Sequence, residues 1–199
     1  MSDHLKYLKS SNPFDIFKSW FDEASKLDKN PRAFTFSTVD ENNFPDARTL
    51  LLKDFSIEGF TFFTSYLSNK FEQLSTNSLA AMTFYWHEFG VQVRIRGNVS
   101  KVDEEISKNY FKSRAKESQV ASLISRQSEE IESREKLEQL FHESLKKYEK
   151  EDVPYPSFWG GLNLEPHEFT FFIYGDHRLN DRFHFIKEKG EWTCKRLQP

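Results

Sequence analysis

Between Arg32 and Lys101 the chain trades helical spacing for alternation, and this stretch constrains the fold more than any other. Ala33–Val39 (AFTFSTV) alternates and is rich in Thr and Phe, and the DENN that follows reads as a turn. Segments 46–53 (DARTLLLK) and 59–64 (GFTFFT) read as further strands. So do 80–86 and 91–102, with Glu88-Phe89-Gly90 between them. One short helix, capped by Ser68 and ending near Thr76, interrupts the series. Strands following one another through short turns predict an antiparallel barrel or sandwich rather than βαβ units.

The flanks are helical and then β again. Residues 1–12 are polar and read as flexible. Asn12-Pro13 reads as an N-cap and first helical residue. Phe14, Phe17, Trp20, Phe21, Ala24 and Leu27 then recur at helical spacing, as on an amphipathic helix that covers something apolar. Segment 103–150 reads as a helical insert. Ile106 and Tyr110 share a face there, followed by Val120, Leu123 and Ile124. A longer helix from about Glu129 carries Leu137, Leu140, Phe141, Leu145 and Tyr148 on one stripe. The loop EDVPYPSFWGG ends it, and strands resume at 168–174, 182–187 and 192–197. These last strands make a poor core alone and are expected to complete the first sheet. The expected class is mainly β with helices (α+β), as one domain over 1–199. With 21 Phe, 7 Tyr and 4 Trp, its core is expected to be Phe-built.

Charge and motifs exclude much. A net charge of −3 argues against a general nucleic-acid or membrane-surface binder, but leaves room for a local basic pocket. A single cysteine, Cys194, rules out an internal disulfide and a Cys-rich zinc site. It suits a reducing compartment, so a cytoplasmic location is expected. The start MSDHLKYLKSSNPF has no apolar signal region, and no run of about 18 apolar residues exists to span a membrane. No glycine-rich phosphate loop or nucleophile elbow occurs, and the six His lack metal-ligand spacing.

What remains is a set of cations and hydroxyls. Arg48 and Lys53 stand at the ends of RTLLLK, on opposite faces if the strand is continuous. Lys70 follows Ser68 at a helix start, where free N–H groups can help hold a phosphate. Tyr110, Arg114 and Ser118 are spaced i, i+4, i+8. On a continuous helix a phenol, a guanidinium and a hydroxyl would form one phosphate cradle, or simply a solvated face. Gln127-Ser128 reads as a helix cap. Gln92 lies mid-strand, facing solvent or a ligand edge. The segment from His177 to Arg182 (HRLNDR) crowds hydrogen-bonding groups beside Phe171, Phe172 and Tyr174. It reads either as a polar hairpin or as a pocket for a planar anion.

Taken together, NPFDIFKSWFDEA, ARTLLLKDF, SNKFEQL, VQVRIRGNVSKV, YFKSRAKESQVASLISRQS, VPYPSFWGGLNL and HRLNDRFHF resemble the pyridoxamine 5'-phosphate oxidase family, in family order from about Asn12 to Pro199. The resemblance implies an antiparallel FMN-binding split β-barrel, homodimeric, with two shared active sites. It places FMN contacts on Arg48, Thr49, Leu50, Leu51, Leu52, Lys53, Phe63, Thr64, Asn69, Lys70, Gln92, Gln127, Ser128, Phe172 and Arg182. It places substrate contacts on Lys53, Tyr110, Arg114, Ser118, Arg178, Leu179 and Asn180, with Arg178 and Asn180 as the catalytic pair. Three positions depart from the usual pattern: Asn69 for an Arg, Phe172 for a Trp and Asn180 for a His.

The activity implied is oxidation of pyridoxamine or pyridoxine 5'-phosphate to pyridoxal 5'-phosphate. Dioxygen is the acceptor, and H₂O₂ is a product. Two alternatives stand beside it. One is a related flavin oxidase of phenazine type acting on another ring. The other is a protein that binds FMN or pyridoxal phosphate with weak turnover.

Overall fold

A computed structural model describes residues 10–199. Residues 1–9 of the segment expected to be flexible lie outside the described residues. Its end is anchored: the Ser10 hydroxyl donates to Asp15 at 2.9 Å and accepts the Asn12 N–H at 3.0 Å. Helix α1 (Pro13–Leu27) begins as expected, with the Asn12 side chain accepting from the Phe14 N–H at 3.0 Å. Its inward face is Phe14, Ile16, Phe17, Trp20, Phe21 and Ala24. Ile16 was not on the expected stripe, and Leu27, which was, is exposed because the helix ends there.

The strands are β1 (Ala33–Val39), β2 (Pro45–Leu51), β3 (Asp54–Ser56), β4 (Gly59–Ser65), β5 (Leu79–Trp86), β6 (Val91–Lys101), β7 (Trp159–Ile173), β8 (Asp181–Glu188) and β9 (Glu191–Leu197). They form one sheet in the order β2-β1-β5-β6-β7-β4-β3, and β8 and β9 branch from β7. The pairings are antiparallel. Early and late strands thus share a sheet, as expected. The sheet forks at β7, whose first half pairs with β4 and whose second half pairs with β8, while β6 runs along both. At the fork the register shifts between Arg96 and Gly97. A Cβ on Gly97 would lie 1.9 Å from the Glu165 carbonyl oxygen, so only glycine allows this approach.

The Phe-built core lies between α1 and the sheet. Phe17 meets Phe60, Phe84 and Phe55 edge-on at 4.8–5.2 Å, and Trp20 meets Phe171 at 5.1 Å. Edge-to-face rings add about 0.5–1.5 kcal/mol per pair beyond their burial.

Four expectations are corrected. The second strand ends at Leu51, not at residue 53, and the chain turns into the short β3. Alternation therefore cannot set the relative faces of Arg48 and Lys53. Ser68 occupies the N-cap position of α2 (Asn69–Thr76), but its hydroxyl donates to the Ser65 carbonyl instead of capping. The insert is three helices, α3 (Glu104–Ser113), α4 (Lys116–Ile124) and α5 (Arg134–Lys147), with Ser133 rather than Ser128 capping the last. Finally, the WGG read as loop opens β7. There a Cβ on Gly160 would lie 2.2 Å from the Tyr66 hydroxyl, so the glycine makes room for the Tyr66 ring.

Candidate active site

The end of β2, β4, α3 and the start of β7 enclose a cleft of about 620 Å³. Thr49, Leu50, Leu51, Leu52 and Lys53 line one side, and Phe63, Thr64 and Gln127 another. Tyr110, Arg114, Ser122 and Trp159 complete it. A triangle of rings walls the cleft. Tyr110 lies 4.1 Å from Phe63, Phe63 stacks on Trp159 at 5.3 Å, and Tyr110 lies 6.1 Å from Trp159. Two of the rings carry a cation: Lys53 Nζ is 4.5 Å from the Tyr110 ring centre, and the Arg114 guanidinium is 4.8 Å from that of Trp159. Burial acts against the Arg114 charge and lowers its pKa.

The structure thus brings Lys53, Tyr110 and Arg114 together, but not as one helix face. Arg114 is the C-cap of α3, and the chain turns before α4. Ser118 is consequently half-buried on α4 and is not among the cleft-lining residues described. Ser122, one turn further on, receives the Arg114 Nη1 donor at 2.6 Å.

Beside this cleft lies a second cationic group. Lys70 Nζ donates to the Thr64 hydroxyl at 3.1 Å and to Gln127 Oε1 at 3.2 Å. The Asn69 N–H reaches Ser128 Oγ at 3.2 Å, so Gln127 and Ser128 act as side-chain partners of α2 and not as a helix cap. Ser128 is held at φ 74°, a left-handed conformation that costs a non-glycine residue about 1–3 kcal/mol. Arg48 donates to Thr38 at 2.6 Å, to Asp46 at 2.5 Å and to Gln73 at 3.2 Å. Gln73 and Arg48 together hold the Asp46 carboxyl below its usual pKa. Lys70 is pushed down to about 8, by burial first and then by the neighbouring Arg48. Asp46 neutralises Arg48 and acts weakly on Lys70, so Lys70, desolvated and held by the neutral Thr64 and Gln127, is the cation here with room for an anion.

The remaining expected residues stand elsewhere. Sheet register places Tyr85, Gln92, Phe172, Arg182 and Leu197 in one row across β5–β9. Gln92 alternates with the buried Val91 and Val93, so the row lies on the outer face. Arg178, Leu179 and Asn180 occupy the loop before β8, where His177 and Arg178 are left-handed at φ 55° and 64°. Asn180 Oδ1 accepts the Gly175 N–H at 3.0 Å and closes that loop.

Three cleft residues escaped sequence reading. Arg32 donates to the carbonyls of Leu52 and Lys53 at 3.2 and 2.8 Å and fixes the turn that presents Lys53. Trp159 stood inside the quoted motif PSFWGG without a role, and nothing in the sequence marked Ser122.

Residues 21–147 match the family model described as pyridoxamine 5'-phosphate oxidase. The chain belongs to this family. Residues 159–199 match a second model, the pyridoxine 5'-phosphate oxidase C-terminal dimerisation region. A pyridoxine/pyridoxamine 5'-phosphate oxidase of Aliarcobacter butzleri is 44% identical over 191 residues, covering 94% of this chain and 90% of that protein. One of Nostoc punctiforme is 45% identical, covering 94% and 89%. Among solved structures, PhzG from Burkholderia lata in complex with tetrahydrophenazine-1-carboxylic acid aligns with a TM-score of 0.91. It is 26% identical and covers 98% of this chain and 96% of its own. The fold expected from the resemblance is therefore the fold observed.

Proposed function

We propose that the protein is an FMN-dependent oxidase that converts pyridoxamine or pyridoxine 5'-phosphate to pyridoxal 5'-phosphate, working as a homodimer. The observation that carries this is the cleft in which Lys53, Tyr110 and Arg114 converge next to the desolvated Lys70 and its neighbour Arg48. Two phosphate-directed clusters side by side suit a phosphorylated cofactor and a phosphorylated substrate. A phenazine-type substrate without a phosphate has no need of the second.

The residues present fit FMN. Lys70 lacks a full counter-charge, and Thr64, Gln127 and Ser128 supply hydroxyl and amide partners around it. These residues, with Arg48 and the backbone of 49–53, would hold the cofactor. When bound, FMN takes two electrons from the substrate and passes them to O₂, which leaves as H₂O₂. The chain's part is to place charges. Lys53 and Arg114 bind the substrate phosphate, and the three rings supply the apolar wall beside them. Arg182 sets a positive charge on the outer face beside Gln92 and Phe172. Arg178 and Asn180 stand on a strained loop suited to meeting a substrate ring. We assign the outer-face row and this loop to the partner's site, which accounts for their position away from the cleft.

The single sheet that joins both matched regions supports reading residues 10–199 as one domain. No described helix is long and apolar enough to cross a membrane. The lone Cys194 supports a cytoplasmic location. The test is a flavin absorbance spectrum of the purified protein combined with a peroxide assay on pyridoxamine and pyridoxine phosphates. Yellow protein yielding peroxide with both supports the proposal. Yellow protein that is silent with both, yet oxidises a reduced phenazine carboxylate, overturns it.

A further inference from the structure

A guanidinium recognises a phosphate only if its plane and its N–H edges are aimed, and a free arginine side chain is not aimed. At Arg114 two contacts supply the aim. The Arg114 guanidinium carbon lies 4.8 Å from the Trp159 ring centre, and the Ser122 hydroxyl takes one Nη1 donor at 2.6 Å. The ring limits where the guanidinium can swing, and the bonded edge holds one donor while the others stay available.

Trp159 is itself fixed. It is 5% exposed and stacks on Phe63 and Tyr110. It opens a strand whose next residues, Gly160 and Gly161, sit where a Cβ would meet Tyr66 and Val102 at 2.2 and 2.5 Å. Its indole also separates the cleft from an apolar cavity of about 400 Å³ under Leu137 and Phe141, and Ser122 and Gln127 border both.

The geometry points to Trp159 and Ser122 as positioning residues that orient Arg114 toward the substrate phosphate. The inference rests on the substrate reading above and deepens it. The phosphate contact is set by an indole on β7 and a hydroxyl on α4, rather than by a row along one helix.

Calorimetry on FMN-loaded protein tests this, with pyridoxal 5'-phosphate and phosphate-free pyridoxal as probes. Trp159→Leu is expected to weaken pyridoxal 5'-phosphate about tenfold and Ser122→Ala about threefold. Trp159→Phe, which keeps a ring, should restore most of the loss. Pyridoxal and FMN affinities should stay within about twofold. In an Arg114→Ala background both substitutions should cost nothing more, because the group they aim is gone. A full tenfold loss from Trp159→Leu in that background, or an equal loss for pyridoxal, overturns the inference. If Trp159→Leu does not fold, unchanged pyridoxal 5'-phosphate binding in Ser122→Ala overturns it. Inorganic phosphate separates the two readings. The same ranking of variants with this probe, in a protein that makes no peroxide from either B6 phosphate, upholds the positioning role and removes the substrate assignment.

Discussion

Lys70 on α2 and Gln127 on the turn after α4, 57 positions apart, meet at 3.2 Å beside the Thr64 hydroxyl. The contact joins the barrel to the helical insert beside a desolvated lysine.

The depressed pKa of Lys70, about 8, gives FMN binding a pH dependence. A phosphate beside the lysine favours its charged form, so the bound state keeps the proton to higher pH than the free state. Affinity is level below about pH 8. Above it, affinity falls by close to tenfold per pH unit, because binding must then take up a proton. Fluorescence titration of FMN from pH 7 to 9.5 reads this, and Lys70→Met should be both weaker and flat. In the apoprotein the sign reverses. The folded pKa lies below the unfolded value near 10.4, so a penalty is present below pH 8 and relieved as pH rises toward 10. At pH 7, Lys70→Met should therefore raise the apoprotein Tm.

Arg114→Ala should weaken the phosphorylated substrate far more than FMN. Removing a charged donor costs about 1.5–3 kcal/mol, roughly ten- to a hundredfold. KM for pyridoxine phosphate and a parallel FMN titration give the two numbers. Equal losses would mean that the guanidinium serves the cofactor.

Mixed dimers test the shared site. Lys70→Met disables the cleft side and Arg182→Ala the outer face, so each homodimer should be inactive. Co-refolded at equal amounts, about half the dimers are hybrids, each with one intact site. About a quarter of the parent activity should return. No recovery would mean that Lys70 and Arg182 of a single protomer serve one site.

Asn180→His should leave FMN affinity within about twofold. A ring nitrogen can replace Asn180 Oδ1 as acceptor for the Gly175 N–H, leaving the other nitrogen to titrate. The expected sign is an inflection in kcat near pH 6.5 that the parent lacks, with a higher rate on one limb. A parallel pH profile of both proteins would make position 180 a bystander.

The alternating strands and the Phe-rich face of α1 were readable in sequence because burial imposes a period there. The opening of β7 was not. Trp-Gly-Gly carries no alternation, and its glycines answer to Tyr66 and Val102, contacts made across the fold. The break at Arg114 has no Gly or Pro to mark it. It is held by Gln119, whose side-chain amide donates to the carbonyls of Lys112 and Arg114 at 3.2 and 2.8 Å. A side chain of the next helix thus ends the previous one, and local propensity cannot show it. The same turn brings the Ser122 hydroxyl to the guanidinium. β3, at three residues, is too short to carry a pattern.

Strand β7 opens with Trp159 in the cleft and nearly closes with Phe172 on the outer face. At about 3.3 Å per residue these two side chains stand up to roughly 40 Å apart along one backbone. On the shared-site reading proposed above, the strand acts as a spacer bar that holds a protomer's two half-sites apart, and each half is completed by its counterpart on a second bar laid the opposite way. The spacing of the dimer's two reaction centres would then follow the length of one strand, and lengthening or shortening β7 would misalign both together.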